Sequence, residues 1–200
     1  MFPLSTVLFP HAELPLHVFE PRYQALVHDV LEGQRSFGTV LITSGSEVGG
    51  GDSRVEVGTR LSVEMAVPFE DGRWLLVTRG LERIRVTSWL KDTPYPVAMV
   101  EAIDSPHFDG PVELLGRAAA AVRRVRMLLS ELDEGPCAGI ELGLSDDLDS
   151  AAWMVCALAP LGLGEAQELL ELSDPVARLD TLIVRASERA RVLSSRLSDG

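Results

Sequence analysis

At 200 residues the chain can bury one good core or two small ones, and with 46% hydrophobic and 24% charged residues it is too apolar to be disordered. Eighteen Lys and Arg against 30 Asp and Glu leave a formal charge of -12, which repels polyphosphate and argues against nucleic acid as a partner. No apolar run approaches the roughly 20 residues that span a bilayer, and no basic region precedes the apolar start, so neither a membrane segment nor a signal peptide is expected.

The first 33 residues supply the surface on which the rest packs. Residues 4–9 and 14–19 are short apolar runs bounded by Pro10 and Pro21, and are expected as two strands joined by a tight turn. Pro21 stands where helix position N1 would fall. Tyr23, Leu26, Val27, Val30 and Leu31 then recur at helical spacing until Gly33, read as a left-handed cap. Residues 37–43, apolar throughout, read as a strand covered on both faces. Residues 44–54 carry glycines 49–51, which lack the Gly-Lys-Ser/Thr of a P-loop and are expected as a surface loop.

Leu61, Val63, Met65, Val67 and Phe69 alternate with Ser62, Glu64 and Ala66 as in a half-buried strand, and Asp71-Gly72 is a two-residue hairpin signal. Folding about that turn sets Phe69 opposite Trp74, Val67 opposite Leu76 and Glu64 opposite Arg79. Gly80 is expected to break the run. After it, Ile84, Val86 and Leu90 face one side, while Arg83, Arg85, Thr87 and Trp89 face the other. Thr93-Pro94-Tyr95-Pro96 reads as a rigid turn before a last strand over 97–103.

Turn formers over 104–111 mark a boundary between units 1–105 and 111–200. Beyond it the period becomes helical. Leu115, Ala118, Val122, Val125, Leu129 and Leu132 form one stripe, stopped at Gly135-Pro136. A second helix over 149–158, with Trp153 and Met154, is apolar nearly all round and ends before Pro160. A third covers 164–172, and a fourth opens at Pro175 behind Ser173-Asp174, carrying Leu179, Leu182, Ile183, Ala186 and Val192. Four helices with short loops imply a compact bundle. Cys137 and Cys156, the only cysteines, are expected as reduced thiols of a cytoplasmic protein.

The string FPL…VLFP…LPLHVFEPRY, followed by a helix and FGTVLI, resembles the start of the Lon-protease N-terminal, or LON substrate-binding, domain family. GTRLSV, RWLLVTRGLERIRV and ALAPLGLGEAQELLELSDPVARLDTLI follow in the family's order, so the resemblance covers nearly the whole chain. One departure is His11, where the family usually has glycine, and a turn of different type is expected there. The resemblance implies an α+β fold: an N-terminal PUA-like β pseudobarrel with one packed helix, then a C-terminal four-helix bundle. It also implies a stand-alone bacterial module that binds unfolded or apolar-rich polypeptide, or a partner protein, without a cofactor and without cutting it.

In full-length Lon proteases this domain precedes an ATPase and a serine-lysine protease, and neither is expected here. Lys91 is the sole lysine; it lies between Leu90 and Asp92, outside any P-loop, and arginine cannot lose a proton to replace a dyad lysine. His11, Glu13, His17 and Glu20 are the only cluster of metal-ligand residue types. Alternation lets Glu13 and His17 share a face, but neither His28 nor His107 completes a set, so no metal is expected. Asp146, Asp147 and Asp149 read as acids answering a helix dipole.

By alternation Trp89 lies beside Arg83 and Arg85, and Tyr95 follows in the next turn, so these residues are the candidates for a polypeptide-binding surface, the alternative being that Trp89 is covered by the helical bundle. The alternatives are a small hydrolase-like enzyme in the groove between barrel and bundle, using His17 or His107, and, less favoured, a PUA-like RNA-binding protein using the arginines. The sequence names no client and fixes no oligomeric state.

Overall fold

A computed structural model describes residues 1–44, 53–134 and 142–198. The glycines at 49–51, the helix stop at Gly135-Pro136 and Cys137 lie outside the described residues. The chain divides into two compact units, Met1–Asp104 and Ser105–Gly200.

The first unit is a curled antiparallel sheet with one helix. Its elements are β1 (Glu13–Val18), α1 (Pro21–Glu32), β2 (Ser36–Ser44), β3 (Ser53–Pro68), β4 (Trp74–Trp89) and β5 (Ala98–Ala102). The strand order is β1-β4-β3-β2, with β5 also pairing β4. The long β4 thus serves β1 with its first half, β5 with its second half, and β3 along most of its other edge.

Residues 4–9 are not a strand. Only Leu4 bridges, to Leu41 at the outer edge of β2, where Phe2 N–H donates to Gly38 O at 2.8 Å and Leu4 N–H to Val40 O at 3.0 Å. Pro3 and Pro10 bring no N–H to a ladder, and buried threonine hydroxyls replace it: Thr39 donates to Phe2 O, Thr59 to Leu8 O and Thr78 to Leu14 O. His11 takes the turn at φ 63, the left-handed region where glycine sits without cost and histidine is tolerated better than most residues. Its N–H donates to Gly80 O, and Gly80 N–H to Ala12 O. Gly80 therefore does not break the strand. A Cβ there would stand 2.2 Å from Phe9 O, so the residue is glycine because another segment crosses on top of it.

Helix α1 starts on Pro21 and buries Tyr23, Leu26 and Val27. Its left-handed residue is Arg35 (φ 53) and not Gly33 (φ -101), because Arg35 is held on both sides: its N–H donates to Val30 O and its carbonyl accepts from Val63 N–H. With Phe2, Leu16, Val18, Leu61 and Leu76 the buried α1 residues make the core of the unit. Each such side chain removed from water contributes about 1.5–3 kcal/mol.

The hairpin register differs by one residue from the expected one. Phe69 N–H donates to Arg73 O and Gly72 N–H to Phe69 O, so the loop is the three residues Glu70, Asp71 and Gly72, with Gly72 at φ 84. Pro68 then faces Trp74, Val67 faces Leu75, Ala66 faces Leu76 and Met65 faces Val77. A bulge at Glu64 widens the difference to two residues, setting Val63 opposite Thr78 and Arg79 opposite Ser62, not Glu64.

The second unit holds α2 (Val112–Glu131), α3 (Leu148–Ala157), α4 (Leu163–Glu171) and α5 (Pro175–Ser198). The stripe of α2 meets α5 through Val125, Leu129, Ala186, Ala190 and Leu193. Val192, expected in that stripe, is exposed, since Ala190 and Leu193 hold the packed face. Asp147 caps α3 by accepting from Ser150 N–H, and Asp174 opens α5 by accepting from Val176 N–H. Arg178 is buried over the Trp153 ring at 3.4 Å and donates to Leu172 O. Among the described residues no helix is long and apolar enough to cross a membrane.

Candidate functional site

The one-residue register shift decides which side chains of the hairpin meet water. Side chains alternate across a strand, so Ala66, Leu76 and Trp74 turn to the core while Met65, Val67, Leu75 and Val77 turn outward. In β1, paired to the same strand, Leu16 and Val18 are buried while Pro15 and His17 face out. The register lines these residues up across three strands: Pro15, Val77 and Met65 form one row, and His17, Leu75 and Val67 the next. Side chains opposite one another on a face stand about 5 Å apart, so each row is continuous.

Phe19 and Phe69 extend the face at the hairpin end. Exposures of 55% for Met65, 43% for Phe69 and 56% for Phe19 mark it as apolar surface in water. Charge stays at its rim. Glu13 pairs with Arg79, and Arg73, which pairs with Asp71 at 2.7 Å, stands 5.7 Å from the Phe69 ring centroid.

Sequence reasoning assigned Met65, Val67 and Phe69 to the core. The signal that corrects it is local: Glu-Asp-Gly fits a three-residue loop with glycine in the left-handed place as well as it fits a two-residue turn.

The residues expected to bind polypeptide stand elsewhere. Arg83 is wholly buried: its guanidinium donates to Asp104 O at 2.6 Å, and its carbonyl accepts from Ile103 N–H. That is a correction to its placement on a polar face, caused by the returning chain at 103–104 covering it. Trp89 lies under the Arg54 guanidinium, 4.4 Å from the ring centroid, and Arg85 is exposed opposite Glu101. Tyr95 donates its hydroxyl to Asp29, a bond that with burial and the Asp29 charge pushes its phenol up to about 12.

The metal-type residues are not gathered. Glu13 pairs with Arg79, Glu20 with Arg22 at 3.0 Å, and His17 sits in the outer row; among the described residues no group of three His, Cys, Asp or Glu converges. In the second unit His107 pairs with Asp149, which also accepts from Phe108 N–H, and both bonds hold the Asp149 carboxyl below its ordinary range. Cys156 is buried, its thiol pushed up to about 12 by desolvation, so it is no nucleophile.

Beside β1 lies a pocket of about 180 Å³. Phe2 and Leu4 line it from one side, Leu16, Val18 and Phe19 from the other, with Tyr23 of α1 between. The Phe2 and Tyr23 rings stack there at 4.0 Å. Segment 2–4 and β1 are the two outer edges of the sheet, so the pocket occupies the seam where its curl brings them near one another.

A family model described as the ATP-dependent protease La (LON) substrate-binding domain matches residues 1–193. The chain belongs to that family. Similar curated proteins include Lon protease 2 of Herpetosiphon aurantiacus, 27% identical over 195 residues, and Lon protease 2 of Sorangium cellulosum, 30% identical over 198 residues. The alignments cover 95% and 94% of this chain but 23% and 24% of those proteins, so this LON domain spans about a quarter of their length. Among solved structures, a Lon N-terminal domain protein from Xanthomonas campestris matches with a TM-score of 0.66 at 31% identity, covering 92% of this chain and 95% of that one. The N-terminal domain of the Mycobacterium avium complex Lon protease, at 17% identity and a TM-score of 0.59, shares the fold.

Proposed function

We propose that this LON substrate-binding domain captures unfolded, apolar-rich polypeptide on the outer face of β1, β4 and β3, and releases it uncut. The observation that carries the reading is the pair of rows Pro15–Val77–Met65 and His17–Leu75–Val67, apolar at every position but His17, with the ion pairs of Glu13–Arg79 and Asp71–Arg73 at their rim. The support for placing the site here rather than at Trp89 is that Arg83 has no exposed surface while Trp89 and Tyr95 already face internal partners. Among the described residues no group of three His, Cys, Asp or Glu gathers at this face. We further read the curled sheet with α1 as a PUA-like pseudobarrel, because both outer edges border one pocket, and the four helices of the second unit as a bundle sharing one interior.

The test uses lysozyme that has been reduced and carbamidomethylated, a permanently unfolded and basic chain, labelled for fluorescence anisotropy without ATP. Binding of the unfolded but not the native probe, with the probe intact on a gel afterwards, is expected. The M65S/V67S double variant should bind about 1–3 kcal/mol more weakly, the range for lost interface anchors. Equal binding by that variant would displace the site, and no binding by the wild type would remove the function.

A further inference from the structure

Resting on that reading, we propose that β1 takes the client as an added strand: an extended apolar segment pairs its backbone with the free edge of β1 and seats one side chain in the seam pocket. An exposed face alone would recognise any greasy surface. A free edge recognises backbone.

The phase of β1 is fixed by its own residues. Ala12 O accepts from Gly80 N–H, and Leu14 O accepts from the Thr78 hydroxyl, so the even-numbered residues direct their backbone toward β4. In an antiparallel ladder the alternate residues then point their N–H and C=O the other way. Proline is admitted to an edge strand where its nitrogen faces away from the partner, and Pro15 falls in that phase. Glu13 and His17 thus offer N–H, and Glu13, Pro15 and His17 offer C=O, along an edge that no strand among the described residues occupies. Proteins commonly blunt such edges with lysine, bulges or a covering element. Here the devices within the strand are Glu13 at its start and Pro15, which removes a donor but no acceptor.

The pocket sets what the added strand carries. An apolar cavity of about 150 Å³ takes up a benzene ring; this pocket, at about 180 Å³, has room for a Phe or Leu side chain against Phe2, Leu4, Leu16 and Val18, with His17 and Glu20 also in its lining. Residues flanking that one in the client point the opposite way, and there they continue the rows through Pro15 and His17. Electrostatics sets the remainder, since residues 1–104 carry 14 Asp and Glu against 9 Lys and Arg, and this net acidity favours lysine or arginine over acids in the client even though Glu13 and Glu20 at the edge are paired with Arg79 and Arg22. The inferred ligand is therefore an extended segment, apolar at its centre and basic at its ends, about as long as the 6 residues of β1.

The probe is a synthetic apolar peptide with lysine at both ends, made as a series in which a single N-methyl group is walked along its amides. With wild-type protein, methylation should weaken binding at least tenfold at every second position and leave the positions between unchanged, because only alternate amides face β1. H17P removes one outward N–H without touching the bonds to β4, and should weaken the unmethylated peptide about tenfold more than H17A does. Replacing the peptide's terminal lysines with glutamates should weaken it as well. Binding of unfolded lysozyme with no alternation in the methyl series overturns strand addition while leaving the recognition reading intact. Failure of both probes to bind overturns both. The methyl series needs no protein variant, so it decides the matter even if H17P does not fold.

Discussion

The hairpin end of the sheet and the corner that bears Trp89 and Tyr95 are both rich in apolar side chains, yet they differ in what those side chains face. At the corner the indole lies beneath Arg54, the phenol hydroxyl is given to Asp29, and Arg83 is sealed under the returning chain. At the hairpin, Met65 and Val67 stand in water, aligned by register with Leu75, Val77 and the outer residues of β1. Apolar content alone thus does not tell the two regions apart. What counts is whether the side chains have been committed to the fold.

The sharpest way to break this comparison is to cut adjacent residues of β4 that face opposite ways. Leu76, 1% exposed, meets the core, so L76A should lose about 2–5 kcal/mol in urea unfolding. Leu75 meets the outer face, and L75S should cost under about 1 kcal/mol, as surface changes do, while weakening capture of unfolded lysozyme. A smaller effect separates the two regions directly. The W89A/Y95A double variant should leave capture unchanged in the anisotropy assay, whereas loss of capture there would return the site to the corner.

Smaller again is the effect of Y95F, which deletes the hydroxyl bond to Asp29 and should cost about 1 kcal/mol. The phenol is raised to about 12, so its contribution is complete below pH 10 and is lost as the pH climbs through the folded value. Absorbance titration should show one tyrosine ionising near 12, a step absent from Y95F. The smallest effect concerns Asp149 in the second unit. Its carboxyl is held low by His107 and by Phe108 N–H, so the stabilisation is present above about pH 4 and fades as the pH falls through the depressed value. H107A should flatten that acid limb in urea midpoints taken between pH 3 and 6.

The helices were largely legible because their signals are local. Pro21 and Pro175 sit at helix starts, and Leu115, Ala118, Val122, Val125 and Leu129 fall on the buried stripe that their spacing implies. The sheet was legible in most of its strands, residues 4–9 being the exception, but not in its register. Three loop residues in place of two, answered by the bulge at Glu64, put Met65 and Val67 on the face opposite to Leu61 and Val63, and no count of alternation detects that. Arg83 misled for another reason: the atoms that bury it, at 103–104, lie some twenty residues on, and periodicity along a strand is blind to them. The candidate site was invisible for both reasons at once, since its outer face comes from the register and its seam from the pairing of segment 2–4 with the far edge of the sheet.

The manner in which Arg83 is buried bears on how the first unit ends. Ile103 N–H and Asp104 O each bond back to Arg83 in β4, on the near side of the junction between Asp104 and Ser105. The first unit carries its own clasp at its exit. The last residues of that unit are thus held by its own strand β4 through bonds that do not depend on the residues after 104.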